Sequence, residues 1–324
     1  MNTLFLFIVM VFSLAHAQAG EVASDLAGLD SIIRKYPADS ADHYVSDWKS
    51  GQDLVGNQDA DLVRRRTWGV IVGNAFAVGL YGRNNWWKEG FNNNFRTVNE
   101  GWFGQNTYSG GADKLGHFYM NYAGTRLFAR VFEWAGNSPG QSLELAAWLT
   151  FGTYMTVEIA DGFSKKWRFS KEDVFMNVAG VGAALLLENN SRLDRLLDLR
   201  LLYRPSRSGH HNFDPFGDYS GQTYLLVAKA SGVPALHDYP WLRYVEVAIG
   251  YGSRGYSDHP SSAASNRSRH VYAGISLNLS ELLGETVFKG LDKWKRTQHV
   301  TDTVLEFVQI PGTDALAGHT LRPD

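Results

Sequence analysis

The chain of 324 residues is long enough to bury one or two substantial cores, and its formal net charge of −2 excludes an electrostatic case for nucleic-acid binding. Cysteine is absent, so disulfides, thiolate chemistry and cysteine-ligated zinc are excluded as well. Aromatic residues make up 13% of the chain, with 10 Trp, a class that gathers where one end of a side chain is apolar and the other wet.

Leu4 to Leu14 is an apolar stretch of signal-peptide length, and Ala15-His16-Ala17 fits an A-x-A cleavage site. Residues 1–17 are therefore expected to be a signal peptide, and the protein to be exported to the periplasm or outer membrane without lipidation. Residues 18–66 are polar and mixed, and are expected to form surface loops or short helices. They end in Arg64-Arg65-Arg66, which reads either as a solvated helix start or as a contact with anionic head groups.

Apolar runs at 67–81, 114–135, 141–160 and 172–187 predict four helices, forming a bundle within residues 67–200. None has a clean apolar stretch of about 20 residues, and Arg126, Glu144, Glu158 and Asp173 argue against lipid on every side. The expectation is a compact bundle against or partly in a membrane. Arg83 to Gly111 joins the first two helices and is too aromatic for disorder. Its Trp86, Trp87, Phe91, Phe95, Trp102, Phe103 and Tyr108 either line a glycan or lipid site or simply cover the bundle mouth.

The second helix opens Asp113-Lys114-x-x-His117-x-x-x-Asn121, a polar stripe at four-residue spacing continued by Gly124. Polar groups in such apolar company need partners. Glu158 and Asp161, three apart on the third helix, and Asp173 and Asn177, four apart on the fourth, are the candidates. Ser170-x-x-Asp173 reads as a capping box, and Gly180 and Gly182 as points of close helix approach.

These residues carry a resemblance. D-K-x-x-H at Asp113–His117, E-x-x-D-G-F at Glu158–Phe163 and S-x-x-D-x-x-x-N-x-x-G at Ser170–Gly180 together resemble the YfiM-like family of uncharacterised predicted periplasmic lipoproteins, over roughly residues 65–285. A looser form of the pattern is similar to VanZ-like membrane proteins. The resemblance implies a helical core at the cell envelope and supplies no reaction. The missing cysteine is a departure from a lipoprotein.

Beyond residue 190 a helix is expected at Leu193–Leu202. Strands are expected at Thr223–Lys229, Leu242–Tyr251, His270–Leu279 and Val304–Ile310, with a loose tail at 312–324. Val245, Val247, Ile249 and Tyr251 alternate with Tyr244, Glu246, Ala248 and Gly250, the signature of a sheet with unlike faces. Three or four strands cannot close a barrel, so 201–311 is expected to be a small antiparallel sheet packed on the bundle, giving an α+β fold. His210-His211 lies in a polar loop and reads as chance.

Converged, Asp113, Lys114, His117, Glu158, Asp161, Asp173 and Asn177 would suit either of two chemistries: a divalent ion held by N and O ligands, or acid/base hydrolysis with Lys114 stabilising an anion. No H-E-x-x-H, G-x-S-x-G or glycine-rich phosphate loop names a cofactor or reaction. The structural alternative makes Asp113 a helix cap, pairs His117 with Glu158, pairs Lys114 with Asp161 or lets it reach solvent along its apolar stem, and leaves a buried network that registers three helices. Two function classes follow. One is a non-catalytic envelope protein binding lipid, glycan or an envelope partner, which the sequence favours. The other is a hydrolase or transferase acting on a lipid-linked or glycan substrate at Asp113, His117 and Glu158.

Overall fold

The computed structural model describes residues 59–206, 216–256, 267–290 and 295–322. The expected signal peptide, most of the polar segment and His210-His211 lie outside them. Among the described residues, seven helices and eight strands form an α+β fold, with the long helices first and the main sheet after them.

Helix α1 spans Ala60–Asn84. It starts seven residues before the expected boundary because the Asp59 side chain accepts from the Asp61 amide and caps it, which places Arg64–Arg66 inside the helix. Helices α2 (Ala112–Trp134), α3 (Pro139–Phe163) and α4 (Lys171–Glu188) agree with the apolar runs. A Ser138–Gln141 capping box with Pro139 starts α3. Gly111, at φ 88°, takes the left-handed turn ahead of α2. Asp113 is thus a first-turn residue and not the cap, which frees its carboxylate.

Helix α2 packs between α3 and α4, and Gly180 sets the second spacing: a Cβ there would strike the Phe118 carbonyl oxygen. Gly182 faces open space, so only one of the two glycines marks a close approach. Tyr119, Tyr122 and Ala123 of α2, Ala184 and Leu187 of α4, and Phe307 form the main core against Leu197, Leu199, Leu201 and Tyr224. Strand β1 (Thr97–Val98) pairs in parallel with β2 (Phe169–Ser170), tying the aromatic connection to the start of α4.

The expected helix at 193–202 is only α5 (Ser191–Leu196), followed by strand β3 (Leu197–Tyr203). Leucines at 197, 199 and 201 face the helices while Asp198 and Arg200 are buried on the other side, a period of two that a leucine-rich run disguised. Strands β4 (Gln222–Lys229), β5 (Val245–Arg254) and β6 (Ser268–Leu277) lie close to expectation, and α6 (Leu279–Thr286) follows. The expected strand at 304–310 is mostly helix α7 (Lys295–Phe307), which buries Leu305 and Phe307 and aims Glu306 at Arg126; β7 is only Val308–Gln309. The tail is not loose, because β8 (Asp314–Thr320) takes up the free edge of β6.

The six-stranded sheet runs β7-β3-β4-β5-β6-β8 and is antiparallel except for the short β3–β7 pairing. Its outermost strands, β7 and β8, are joined by the four residues 310–313, a span of at most ~14 Å, so the sheet is strongly curled. Arg204 beyond β3 meets Asp314 of β8 at 3.1 Å. The enclosed side is partly ionic: Arg200 bonds Asp198, Glu246 and Gln309 beside Leu225 and Val227. The apolar row Val247, Ile249, Ile275 and Leu277 is exposed, the reverse of an ordinary soluble sheet.

Candidate functional site

The site is the wall of a cavity of about 360 Å³ between the helices and the sheet. Asp113 and His117 from α2, Glu158 and Asp161 from α3 and Asp173 from α4 all line it, as do Trp86, Trp167, Met120, Leu201 and Phe216. All seven sequence-predicted residues are gathered, but not in the expected pairs.

Lys114 is almost fully buried and does not line the cavity. Its Nζ contacts Asp173 Oδ1 at 2.6 Å and Asp113 Oδ2 at 3.0 Å and also binds Glu100, so it reaches neither Asp161 nor a bound anion. Asp161 instead accepts from Trp87 Nε1 at 2.6 Å. Asp113 and Asp173 each spend one oxygen on Lys114 and turn the other toward His117 Nε2, at 3.8 and 4.0 Å. Asp113 Oδ1 also accepts from Tyr219 Oη at 3.2 Å.

The imidazole is held from behind. Asn121 Nδ2 donates to the His117 carbonyl at 2.9 Å and to Asn177 Oδ1 at 2.6 Å. Asn177 therefore presents its oxygen, and His117 Nδ1, 3.0 Å away, is the donor to it. Nε2 is left as the lone-pair nitrogen facing the cavity. Glu158 Oε1 lies 3.6 Å from Nδ1, too far for the expected direct bond. Glu158 Oε2 accepts from the Ser170 amide at 3.4 Å, the amide that a full capping box would have given to Asp173; only the Ser170 Oγ half of the box forms.

Five carboxylates thus face one lysine and one imidazole. Burial pushes Glu100 up to about 8, with Asp113 and Asp173 adding repulsion that outweighs Lys114. Burial likewise raises Asp161 to about 7 and Asp173 to about 7, and lifts Glu158 well above the carboxylate range. Burial would raise Asp113 too, but Lys114 and His117 beside it hold it well below its ordinary value. At neutral pH the cavity therefore mixes an ionised acid with protonated ones, the separation that acid/base sites use. Asp113, His117 and Asp173 also each offer a ligand atom within 4.8 Å of the others, a spacing from which a divalent ion could be held.

Glu100 was invisible to helical spacing because it sits in the aromatic connection; it and Glu89 are the only acids between Arg83 and Gly111. Tyr154 and Tyr219 were missed, the first for looking like core and the second for lying in a segment without period. Of the seven aromatics read as stacking or cover, Trp86 and Tyr108 line the cavity, while Phe95 packs on Phe163 and Phe169 and Phe103 on Tyr251.

Residues 99–189 match a family model described as predicted periplasmic lipoprotein (DUF2279). The interval begins just after β1 and ends one residue past α4, so it contains every acid, the histidine and the lysine of the site and none of the main sheet. No curated protein and no solved structure matches the chain. No described helix is long and apolar enough to cross a membrane. The description says lipoprotein, whereas these 324 residues hold no cysteine to carry a lipid. Over its central helices the chain is thus similar to an uncharacterised family of predicted periplasmic lipoproteins, which supports an exported protein of the cell envelope.

Proposed function

We propose that the protein is an envelope enzyme, a hydrolase or transferase that uses His117 as general base against an amphipathic, lipid-linked or glycan-linked substrate. The observation that carries this reading is the free Nε2 of His117 facing a roomy cavity beside one ionised and several protonated carboxyl groups. A purely structural network would leave the imidazole dry and fully paired.

Each residue then has a role. His117 Nε2 takes the proton of a water or acceptor hydroxyl, whose oxygen attacks the scissile centre. Asp113, kept ionised by Lys114, stabilises the imidazolium that forms. A protonated carboxyl, Asp173 facing His117 Nε2 with Glu100 beside it, returns a proton to the leaving oxygen. Lys114 positions these acids. Trp86, Trp167, Met120 and Phe216 suit the apolar part of the substrate, and Arg168 on the same wall suits an anionic part. Attachment would not run through a cysteine-linked lipid.

A second reading rests on one observation, the convergence of Asp113, His117 and Asp173: the same three atoms would hold a divalent ion that activates the water. The test is turnover of a panel of ester-linked and phosphoester-linked lipids and lipid-linked glycans by the purified protein and by His117→Gln, with and without EDTA. The base reading expects turnover that EDTA leaves intact and His117→Gln abolishes. Loss in EDTA supports the metal reading, and turnover by His117→Gln overturns both.

A further inference from the structure

We propose that the outer stripe of α1 is a docking face for an anionic lipid bilayer, along which the helix lies without crossing it. Trp68, Val72, Phe76 and Leu80 recur every four residues on one side of α1 and are 60%, 61%, 71% and 50% exposed. Gly69, Gly73 and Gly79 of the same helix have no described group near the position a Cβ would take, so α1 is open at these points among the described residues. The opposite side is fastened to the bundle: Asn74 Nδ2 donates to Thr153 Oγ1 at 2.7 Å, and Val70 and Ile71 pack on Ala129, Phe132 and Ala146. Water would not select such a face on a helix that is otherwise well seated.

Charge picks the occupant. From Leu62 to Asn84 the helix carries Arg64, Arg65, Arg66 and Arg83 and no acid, and Asp61 ahead of them is paired with Arg64. An apolar stripe led by exposed arginines is complementary to acyl chains beneath anionic head groups, and a second copy of the same cationic face would be repelled by it. Trp68 follows the arginines, and the exposed Trp134 lies under the Arg66 guanidinium, 5.6 Å away, so aromatic rings sit at the level where arginine meets apolar surface.

The face continues into the candidate site. At the far end of α1 the Tyr81 ring packs on Trp86 and Phe216, with centroids 4.9 and 6.0 Å apart, and both partners line the cavity. Docking by α1 sets that wall beside the bilayer, so the substrate class would be a molecule carried in the membrane. This last step rests on the catalytic reading above; the docking does not.

Flotation of the purified full chain tests the proposal, using vesicles of phosphatidylcholine alone and of phosphatidylcholine with one-quarter phosphatidylglycerol. The parent is expected to float with both and far more strongly with the anionic ones. Arg64→Gln/Arg65→Gln/Arg66→Gln is expected to weaken anionic binding on the order of 100-fold, since each arginine near the surface contributes about a factor of five to ten. Val72→Ser/Phe76→Ser is expected to lose binding to both by more than tenfold, at the parent's melting temperature because both side chains are exposed. A parent that stays with the soluble fraction, or variants that float like it, overturns the proposal. So does a dimer that Val72→Ser/Phe76→Ser converts to monomer, which would assign the face to a second copy. Flotation without turnover of any lipid would sink the catalytic reading and leave the docking standing.

Discussion

Asn177 Oδ1 accepts from His117 Nδ1 at 3.0 Å, and through that bond one buried amide decides which imidazole nitrogen is free to react. The same oxygen accepts from Asn121, so Asn177→Leu orphans two donors at once. We expect a loss of about 1–3 kcal/mol for each, measured by urea unfolding. Imidazole ¹⁵N spectra of the parent should show Nδ1 protonated and Nε2 bare, and the variant should show a mixture of tautomers.

The pH dependence of stability follows from the raised carboxyls. Glu100, Asp161 and Asp173 hold protons in the folded state up to about 8, 7 and 7, whereas their ordinary values are 4.5, 3.8 and 3.8. Between about pH 4 and 8 the unfolded chain has released protons that the folded chain keeps, so the stability these groups confer is complete at low pH and fades as pH rises. Asp113 has the opposite sign and costs stability only as pH falls below about 4. The melting temperature should therefore climb between pH 8 and pH 5.5, and the climb should shrink in Asp161→Asn.

Lys114 is the cation on which three carboxylates depend. Lys114→Met should lose about 3–5 kcal/mol at pH 7, the usual result of stranding buried charge, and regain part of it at pH 5 as protons replace the ammonium. Equal losses at both pH values would mean that packing, not charge, is what the lysine supplies.

Gly180 and Gly182 form a matched pair two residues apart. Gly180→Ala forces a methyl group into the α2 backbone and should cost about 1–3 kcal/mol. Gly182→Ala meets nothing and should gain about 0.5–1 kcal/mol, the helical advantage of alanine. Thermal unfolding of the two variants checks both signs.

How much of this could be read from the residues alone depended on period. Asp113, His117, Asp173 and Asn177 were legible because four-residue spacing on apolar helices forces partners to be sought, and the structure supplies them across α2 and α4. Which residue pairs with which was not legible. Lys114 turns to Glu100, a residue in a connection without period, and Asp161 turns to a tryptophan. In the sheet, alternation told that β5 has two unlike faces but not which one is enclosed. Arg200 draws Asp198 and Glu246 to the inside of the curl, and Val247 and Ile249 are left facing out.

The most direct measurement of the central claim is urea unfolding of Glu158→Gln beside the parent at pH 8. Glu158 is buried and lies 3.6 Å from His117, and burial pushes its carboxyl well above the usual carboxylate range, so an uncharged isostere should fit its place. If the cluster is a functional site maintained against stability, the variant will be as stable as the parent or more so. A loss of more than about 2 kcal/mol would mean that the ionised carboxylate holds the helices together, and would contradict the account.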